Sequence, residues 1–252
     1  MENRIGPVEA TTKTKQDVRA AEEIDRIYRE SGESDYLKLI NFPRFVPRQA
    51  LSKFLCRYEI FKKVLNIQGS IVECGVLSGG SLFSFAQFSA ILEPVNHQRK
   101  IIGFDTFEGF PRLHQHDEKG TSSNLEVGGY SGAQYEDLLK SVQAFDDNRF
   151  LSHIPKIELI KGDASRTIPK YVEQNPHLVV SLLYLDIDLY EPTKCALKYF
   201  KSRMPKGAVI IFDELNCDTF PGETIAVQEE LGLNSLKIER FAFDTNISYT
   251  IL

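Results

Sequence analysis

Residues 71–81 read Ile-Val-Glu-Cys-Gly-Val-Leu-Ser-Gly-Gly-Ser, and this stretch decides the fold class. An apolar, β-branched run that ends in closely spaced glycines predicts a strand, a tight turn and the start of a helix. The unpaired N–H groups at such a helix start can bind an anionic group. The glycine spacing is G-x-x-x-G-G, which differs from the G-x-G-x-x-G of dinucleotide sites. Glu73 would oppose a pyrophosphate but suit an ammonium group, so the stretch favours a cofactor that carries an amino acid.

The alternation of strands and helices continues on both sides of this stretch. Upstream, apolar residues at steps of three and four predict an amphipathic helix over residues 49–66. Downstream, further apolar runs have the length of strands, at residues 100–104, 157–160, 179–185, 208–212, 236–243 and 247–252. Continuously apolar strands separated by helices predict an α/β protein with a doubly wound, mostly parallel sheet.

The periodicity divides the chain into three parts. Residues 1–17 lack periodicity and are predicted to be a mobile tail. Residues 18–66 are predicted to form an N-terminal helical segment that serves as a lid or an oligomer contact. Residues 67–252 hold the sheet domain, which is interrupted by a loop or lid insertion at 105–148 that contains one helix over 133–145.

Composition excludes several classes of protein. The 30 Lys and Arg residues against 35 Asp and Glu give a net charge of −5, which argues against a general nucleic-acid binder. No apolar run approaches the ~20 residues of a membrane helix, and no secretory signal is visible at the N-terminus. The four cysteines are scattered, which is typical of reduced thiols. We therefore expect a cytoplasmic protein without nucleic-acid or membrane partners. A homo-oligomer (a dimer or higher) is a separate expectation, with the N-terminal helices as a candidate contact.

Acidic residues follow most of the predicted strands. Asp105 comes 25 residues after Gly80, where an acidic side chain can accept hydrogen bonds from both hydroxyls of a ribose. Asp163 follows the next strand and could accept from an adenine amino group, with the Ala164 N–H donating to the ring. Alternatively, both aspartates only cap turns.

Four more carboxylates follow the next two strands: Asp186, Asp188, Asp213 and Glu214. Because ligands of open parallel sheets bind beyond the carboxyl ends of the strands, we expect these side chains to lie close together. Clustered carboxylates repel one another, and a divalent cation relieves this repulsion. Oxygen ligands suit Mg²⁺, Mn²⁺ or Ca²⁺. The alternative is that basic side chains pair with the carboxylates, with Lys194, Arg203 and Lys206 as candidates.

Four linked motifs resemble the macrocin O-methyltransferase (TylF/MycF/NovP-like) family. They are residues 72–80 (VECGVLSGG), 103–111 (GFDTFEGFP), 185–193 (LDIDLYEPT), and 212–214 (FDE) with Pro221-Gly222. The resemblance spans roughly residues 50–252. It implies a seven-stranded, Rossmann-like class I methyltransferase fold, the cofactor S-adenosyl-L-methionine, a Mg²⁺ site, and methylation of a deoxysugar hydroxyl, in a nucleotide-activated or glycosidic acceptor, in natural-product or surface-glycan biosynthesis.

The resemblance also implies roles for particular residues. The methionine end of the cofactor would be held by Glu73, Gly75, Ser78, Gly79, Gly80 and Ser81. Asp105 would take the ribose, and Asp163 with Ala164 would take the adenine. Thr106 and Asp186 would also bind the cofactor. The metal would be held by Asp186, Asp213 and Glu214, and Asp188 would be the general base. Glu214 departs from the aspartate that relatives often carry at this position.

Other readings stay open at this point. His114, His116 and Asp117 lie in the insertion and could contact the acceptor, although surface histidines would fit the pattern as well. Tyr130 and Tyr190 could stack against a sugar or nucleotide, or pack in the core. An NAD-type oxidoreductase on a similar sheet is the alternative enzyme, and it is disfavoured because the chain has no G-x-G-x-x-G spacing. A non-catalytic nucleotide-binding protein would leave the cost of clustered carboxylates unexplained.

Overall fold

The computed structural model describes residues 14–252. The chain divides into two compact units, Met1–Leu55 and Cys56–Leu252. The second unit begins upstream of the predicted boundary at residue 67, inside the third helix. The part of this helix within the second unit carries fully buried apolar residues, and the Phe61 ring packs 5.8 Å from the ring of Phe88.

The first unit is helical. Its helices are Lys15–Glu30 (α1), Asp35–Ile40 (α2) and the beginning of Arg48–Val64 (α3). The prediction of a tail up to residue 17 is wrong for residues 14–17, because these residues start α1. Thr14 caps the helix: its hydroxyl accepts from the Asp17 N–H at 3.2 Å, and the Asp17 carboxylate accepts from the Thr14 N–H at 2.9 Å. The rest of the predicted tail, residues 1–13, lies outside the described residues.

The second unit contains a seven-stranded sheet, which confirms the predicted fold class. Its strands are Ser70–Cys74 (β1), Ile101–Asp105 (β2), Ile157–Lys161 (β3), Val180–Leu185 (β4), Val209–Phe212 (β5), Glu239–Arg240 (β6) and Ser248–Ile251 (β7). The strand order is β3-β2-β1-β4-β5-β7-β6. The first five strands are mutually parallel, and β7 is antiparallel to both of its neighbours. The last two predicted strands are shorter than expected.

Helices cover both faces of the sheet. They are Gly80–Leu92 (α4), Tyr135–Asp147 (α5), Ala164–Gln174 (α6), Tyr190–Phe200 (α7) and Pro221–Glu230 (α8), in addition to α3. On one face, α6, α7 and α8 pack in an apolar cluster with side chains of all five parallel strands except β3, whose Ile160 lies at its margin. On the other face, the Phe85 ring of α4 packs edge-on against Tyr184 of β4, with the ring centroids 6.0 Å apart.

The sequence analysis places no helix over residues 164–174, where the structure has α6 with Pro169 inside it. Proline has no N–H for the carbonyl four residues earlier, which is that of Ser165. The Cys195 thiol donates to this Ser165 carbonyl at 3.7 Å, so a neighbouring helix supplies a replacement donor. No helix in residues 14–252 is long and apolar enough to cross a membrane.

Candidate active site

The register of the sheet aligns the predicted site residues at one edge. Cys74 pairs with Phe104 and Leu185, and Leu185 pairs with Phe212. The residues that follow these four are therefore side by side, in the order Asp105, Gly75, Asp186, Asp213. We call this row the carboxyl edge. Backbone hydrogen bonds extend the ladder to it, from Gly75 N–H to Phe104 O at 2.9 Å and from Asp186 N–H to Cys74 O at 2.9 Å.

Gly75 allows the ends of two strands to approach closely. It has a φ of +92°, and a Cβ at this position would lie 1.7 Å from the carbonyl oxygen of Asp186. Two residues later, Leu77 also has a positive φ, +51°, and is exposed. Left-handed backbone at a non-glycine residue is uncommon and clusters at functional sites. The turn ends at Gly79, which caps α4 in a left-handed conformation, with Ser78 and Gly80 exposed.

Glu73 is fully buried below this turn. The Ser81 hydroxyl donates to its Oε1 at 2.5 Å, while its Oε2 is buried without a hydrogen-bond partner. Burial raises the pKa of Glu73 well above its ordinary value; the Ser81 hydrogen bond lowers it, and the charge of Asp186 raises it further. An unpartnered buried acceptor at this place can receive a hydrogen bond from an ammonium group.

Asp105 holds the glycine turn in place. Its Oδ2 accepts from the Val76 and Leu77 N–H groups at 2.6 and 2.9 Å, and its Oδ1 accepts from the Phe107 N–H at 2.6 Å. The Thr106 hydroxyl donates to Gly109 O at 2.6 Å and so shapes the following turn. A carboxylate has about four acceptor positions, and three of those of Asp105 are used by the backbone.

Asp163 caps α6, accepting from the Ser165 N–H at 2.9 Å. Its other oxygen lies 3.6 Å from Nη2 of Arg112, which belongs to the insertion, and 3.8 Å from Nε of Arg166. Ala164 is buried in the core. Asp163, which was predicted to accept from adenine, therefore caps a helix. Arg112 of the insertion lies near the same carboxylate.

A half-buried arginine and a buried tyrosine hold Asp213. The Tyr184 hydroxyl donates to Asp213 Oδ1 at 2.8 Å, and Arg57 Nη2 of α3 donates to the Tyr184 oxygen at 3.4 Å. Because a guanidinium has only donors, the tyrosine oxygen accepts from Arg57, and its own proton points to Asp213. Burial lowers the pKa of Arg57, but Tyr184, Asp186 and Asp213 together raise it to a value above the ordinary one.

Glu223 of α8 organises the loop that follows β5. It is fully buried, and its Oε1 accepts from the Glu214 N–H at 3.1 Å, while its Oε2 has no partner. Burial raises its pKa well above the ordinary value, and the charges of Asp213, Glu214 and Asp188 raise it further. The charges of these three carboxylates therefore act on Glu223, as the charges of Asp186 and Asp213 act on Arg57.

The cluster is acidic, but it does not form a ready metal centre. Among residues 14–252, no three His, Cys, Asp or Glu side chains are grouped so that they could hold a metal ion. Two of the three basic partners considered from the sequence are engaged elsewhere: Lys194 pairs with Glu229 at 2.7 Å, and Arg203 donates to backbone carbonyls near residue 175. Arg57 is a cation that adjoins the carboxyl edge through Tyr184.

The insertion packs beside the end of β4. The His114 ring stacks on Tyr190, with centroids 4.6 Å apart, and His116 lies 4.7 Å from the same ring. Tyr130 packs against Phe110 and Phe220. Asp117 is buried, and burial raises its pKa although backbone N–H groups of His114 and Tyr190 lower it.

Three residues of this region were missed by sequence reasoning. Arg57 precedes Ile60, Phe61 and Val64 by three, four and seven residues, so a charge within the apolar stripe of α3 was a usable signal. Tyr184 lies inside an apolar strand, where a buried hydroxyl needs a partner. Glu223 directly follows the Pro221-Gly222 pair, and nothing in its spacing marks it.

Comparison with known proteins identifies the family. The model of the macrocin-O-methyltransferase (TylF) family matches residues 11–234. The crystal structure of CalS11, a calicheamicin methyltransferase, superposes with a TM-score of 0.90 at 30% sequence identity, covering 95% of this chain and 93% of that chain. An apo structure of CalS11, described as a TDP-rhamnose 3'-O-methyltransferase, gives a TM-score of 0.81 at 30% identity and 95% coverage of both chains.

A more distant structure, the O-methyltransferase NovP, gives a TM-score of 0.64 at 19% identity, covering 80% of this chain and 79% of that chain, and it supports the fold alone. No curated protein sequence matches the chain. The predicted family is nevertheless confirmed, because its model covers most of the chain and the fold agrees. The chain belongs to the macrocin O-methyltransferase family, and it is an S-adenosylmethionine-dependent O-methyltransferase.

Proposed function

We propose that this enzyme methylates a hydroxyl group of a nucleotide-activated deoxysugar, in natural-product or surface-glycan biosynthesis, and that it requires Mg²⁺. The observation that carries the proposal is the alignment of Gly75, Asp186 and Asp213 on adjacent strands, in a chain 30% identical to a structure described as a TDP-rhamnose 3'-O-methyltransferase. That description favours a nucleotide sugar over a finished glycoside as the acceptor.

The residues of the glycine turn fit the cofactor. Glu73 Oε2, buried without a partner, is an acceptor for the ammonium group of the methionine part. A Cβ on Gly80 would meet no atom within 4 Å, so the helix start has open space for the carboxylate. In this proposal the methionine part is held by Glu73, Gly75, Ser78, Gly79, Gly80, Ser81 and Asp186. The remaining acceptor position of Asp105, with Thr106, would serve the ribose, and Asp163 and Ala164 would serve the adenine.

The donor chemistry of Asp186, Asp213 and Glu214 fits Mg²⁺, which prefers carboxylate oxygens. These three side chains would hold the ion, and Glu223 would fix the backbone of Glu214 through its 3.1 Å hydrogen bond. A divalent cation supplies positive charge beside the acceptor hydroxyl, which lowers the pKa of that hydroxyl. Arg57 and Tyr184 would keep Asp213 in one orientation.

Asp188 would take the proton from the acceptor hydroxyl. A sugar hydroxyl is a weak nucleophile at neutral pH, and a positioned carboxylate that accepts its proton contributes about 100-fold or more to the rate. The protein's other task is to hold the hydroxyl in line with the methyl group. As the O–CH3 bond forms, the S–CH3 bond of the donor would break, which leaves the neutral thioether S-adenosylhomocysteine and places the proton on Asp188.

The test is methyl transfer to a defined panel of acceptors. The purified enzyme is incubated with S-adenosylmethionine, MgCl₂ and either dTDP-6-deoxysugars or the matching methyl glycosides, and the products are analysed by mass spectrometry. A gain of one CH₂ unit on the nucleotide sugars supports the proposal. Methylation of the glycosides alone would contradict the nucleotide-sugar acceptor.

Calorimetry with S-adenosylmethionine and then with NAD separates the methyltransferase from the two alternatives raised by the sequence. The family assignment already favours the methyltransferase over both an oxidoreductase and a non-catalytic nucleotide-binding protein. Binding of NAD but not of S-adenosylmethionine would contradict the proposed cofactor.

A further inference from the structure

Asp188 sits in a strained turn. It has a φ of +62°, and the N–H of Leu189 donates to the carbonyl of Ile187 at 2.6 Å. A hydrogen bond across two residues with a positive φ at the central residue is the rare form of the γ-turn. Such a conformation costs about 1–3 kcal/mol and persists only where the surroundings hold it.

Asp117, which belongs to the insertion, supports this turn with two hydrogen bonds from its carboxylate. We call these two hydrogen bonds the brace. Asp117 is 2% exposed; its Oδ1 accepts from the Tyr190 N–H and its Oδ2 from the His114 N–H, both at 2.8 Å. Tyr190 is the first residue of α7, two residues after Asp188, and its N–H is one of the donors that a helix start leaves unpaired. Leu189, at the N-cap, makes no side-chain cap. The carboxylate of Asp117 therefore caps α7 from a distant part of the chain.

Two further contacts close the brace. A Cβ on Gly222 would lie 2.0 Å from Asp117 Oδ1 and 2.6 Å from the Tyr190 nitrogen, so the start of α8 packs directly against this hydrogen bond. Leu189 is buried in an apolar cluster with Phe110 and Phe220. The γ-turn is thus enclosed by the insertion on one side and by α8 on the other.

We infer that Asp117 is a positioning residue for Asp188: by fixing the Tyr190 N–H, it holds the γ-turn in the conformation that aims the Asp188 carboxylate. The inference rests on the proposed function, in which Asp188 is the base. It also explains why glycine stands at position 222, because any side chain there would displace the carboxylate of Asp117.

The experiment uses Asp117→Asn in the full-length enzyme. An amide has one acceptor oxygen, so one of the two N–H groups loses its partner. Since a base displaced by about 1 Å can cost about 100-fold in rate, we expect kcat to fall by about 10- to 100-fold. The Kd for S-adenosylmethionine should stay within about threefold of the wild-type value, because the hydrogen bonds of the Asp117 carboxylate go to His114 and Tyr190, outside the glycine turn.

A double-variant comparison separates positioning from a general structural defect. If Asp117 acts through Asp188, then Asp117→Asn combined with Asp188→Asn should be no slower than Asp188→Asn alone, within about threefold. If the loss of kcat in the double variant equalled the product of the two single losses, the inference would be overturned. Wild-type turnover in Asp117→Asn would also overturn it. Asp146→Asn is the matched control: it changes another buried carboxylate of the insertion, paired with Arg149 at the far end of α5, and should leave kcat unchanged.

A second variant and a second readout cover two further cases. If Asp117→Asn does not fold, Gly222→Ala displaces the same contact without changing a charge. It should lower kcat in the wild-type background but cause no further loss when it is combined with Asp188→Asn. Hydrogen–deuterium exchange needs no acceptor: Asp117→Asn should speed exchange in the peptide that contains Tyr190 by about tenfold, and Asp146→Asn should not. If the wild type methylates no sugar, the proposed function fails, and unchanged exchange at Tyr190 would separately overturn the brace.

Discussion

Replacement of Tyr184 by phenylalanine removes one hydroxyl group that contacts Asp213 at the carboxyl edge. That hydroxyl donates to Asp213 Oδ1 at 2.8 Å and accepts from Arg57 Nη2 at 3.4 Å. Tyr184 is fully buried and Asp213 is 3% exposed, so water cannot replace the lost bonds. A buried hydrogen bond to a charged group contributes about 1.5–3 kcal/mol. We therefore expect the free energy of unfolding to fall by about 2 kcal/mol, and the Tm by roughly 4–8 °C for a protein of this size.

The functional effect should be selective. Asp213 would lose a contact that holds its orientation, so turnover should fall by about tenfold, which is less than the roughly 100-fold that a 1 Å misplacement can cost. Binding of S-adenosylmethionine should change by less than about threefold, because the glycine turn and Glu73 keep their own contacts. Thermal unfolding followed by circular dichroism, calorimetry of cofactor binding, and steady-state turnover measure the three quantities.

Tyr171→Phe is the matched control. The Tyr171 hydroxyl also donates to a carboxylate at 2.8 Å, but the acceptor is Glu158, which is exposed. Water can replace that bond, so we expect a smaller loss of stability and unchanged turnover. If Tyr184→Phe were as stable and as active as the wild type, the Arg57–Tyr184–Asp213 chain would have no role in holding the site.

Three further predictions concern the base, the metal and the cofactor. Asp188→Asn should lower turnover by about 100-fold or more while cofactor binding stays intact; full activity would remove Asp188 from the mechanism. Removal of divalent cations with a chelator should abolish turnover and added Mg²⁺ should restore it; an unaffected rate would exclude the metal proposal. Burial raises the folded-state pKa of Glu73 well above the ordinary value of 4.5, so the folded protein binds the Glu73 proton more tightly than the unfolded chain does. The contribution of this protonated side chain to the free energy of unfolding is complete below pH 4.5 and is lost as the pH rises through the folded-state pKa. Glu73→Gln should therefore raise the Tm of the cofactor-free enzyme more at pH 8 than at pH 5, and should weaken cofactor binding by about tenfold or more; an equal change in Tm at both pH values would contradict this origin of the pKa shift.

The carboxyl edge could be predicted from the sequence because it depends on local information. Apolar runs mark the strands, and the residue after each strand lies at an edge that parallel strands share. Asp105, Asp186 and Asp213 follow from this rule without knowledge of any contact between distant segments. The same reasoning gave the glycine turn, since G-x-x-x-G-G follows directly on a strand.

The residues that support this edge depend on long-range packing and could not be placed in the same way. Arg57 and Tyr184 are 127 residues apart in the chain, and their contact depends on where α3 lies against the sheet. Asp117 and Tyr190 are 73 residues apart, and only the path of the insertion brings them together. The sequence located the groups that are proposed to bind ligands, whereas the structure located the groups that hold them.

The charges of the site are compatible with the proposal that it binds a cofactor and a cation beside a catalytic base. Burial and neighbouring carboxylates raise the pKa values of Glu73 and Glu223, so the ligand-free protein holds these acids most easily in the neutral form. Arg57 offsets part of the charge of Asp186 and Asp213, but it adjoins only one part of the cluster. Each proposed ligand brings positive charge: the ammonium and sulfonium groups of the cofactor beside Glu73, and a divalent ion beside Asp213 and Glu214. Binding of the cofactor and the cation would favour the ionised form of these carboxylates. The same positive charge would keep Asp188 ionised, and only an ionised Asp188 can accept the proton of the acceptor hydroxyl.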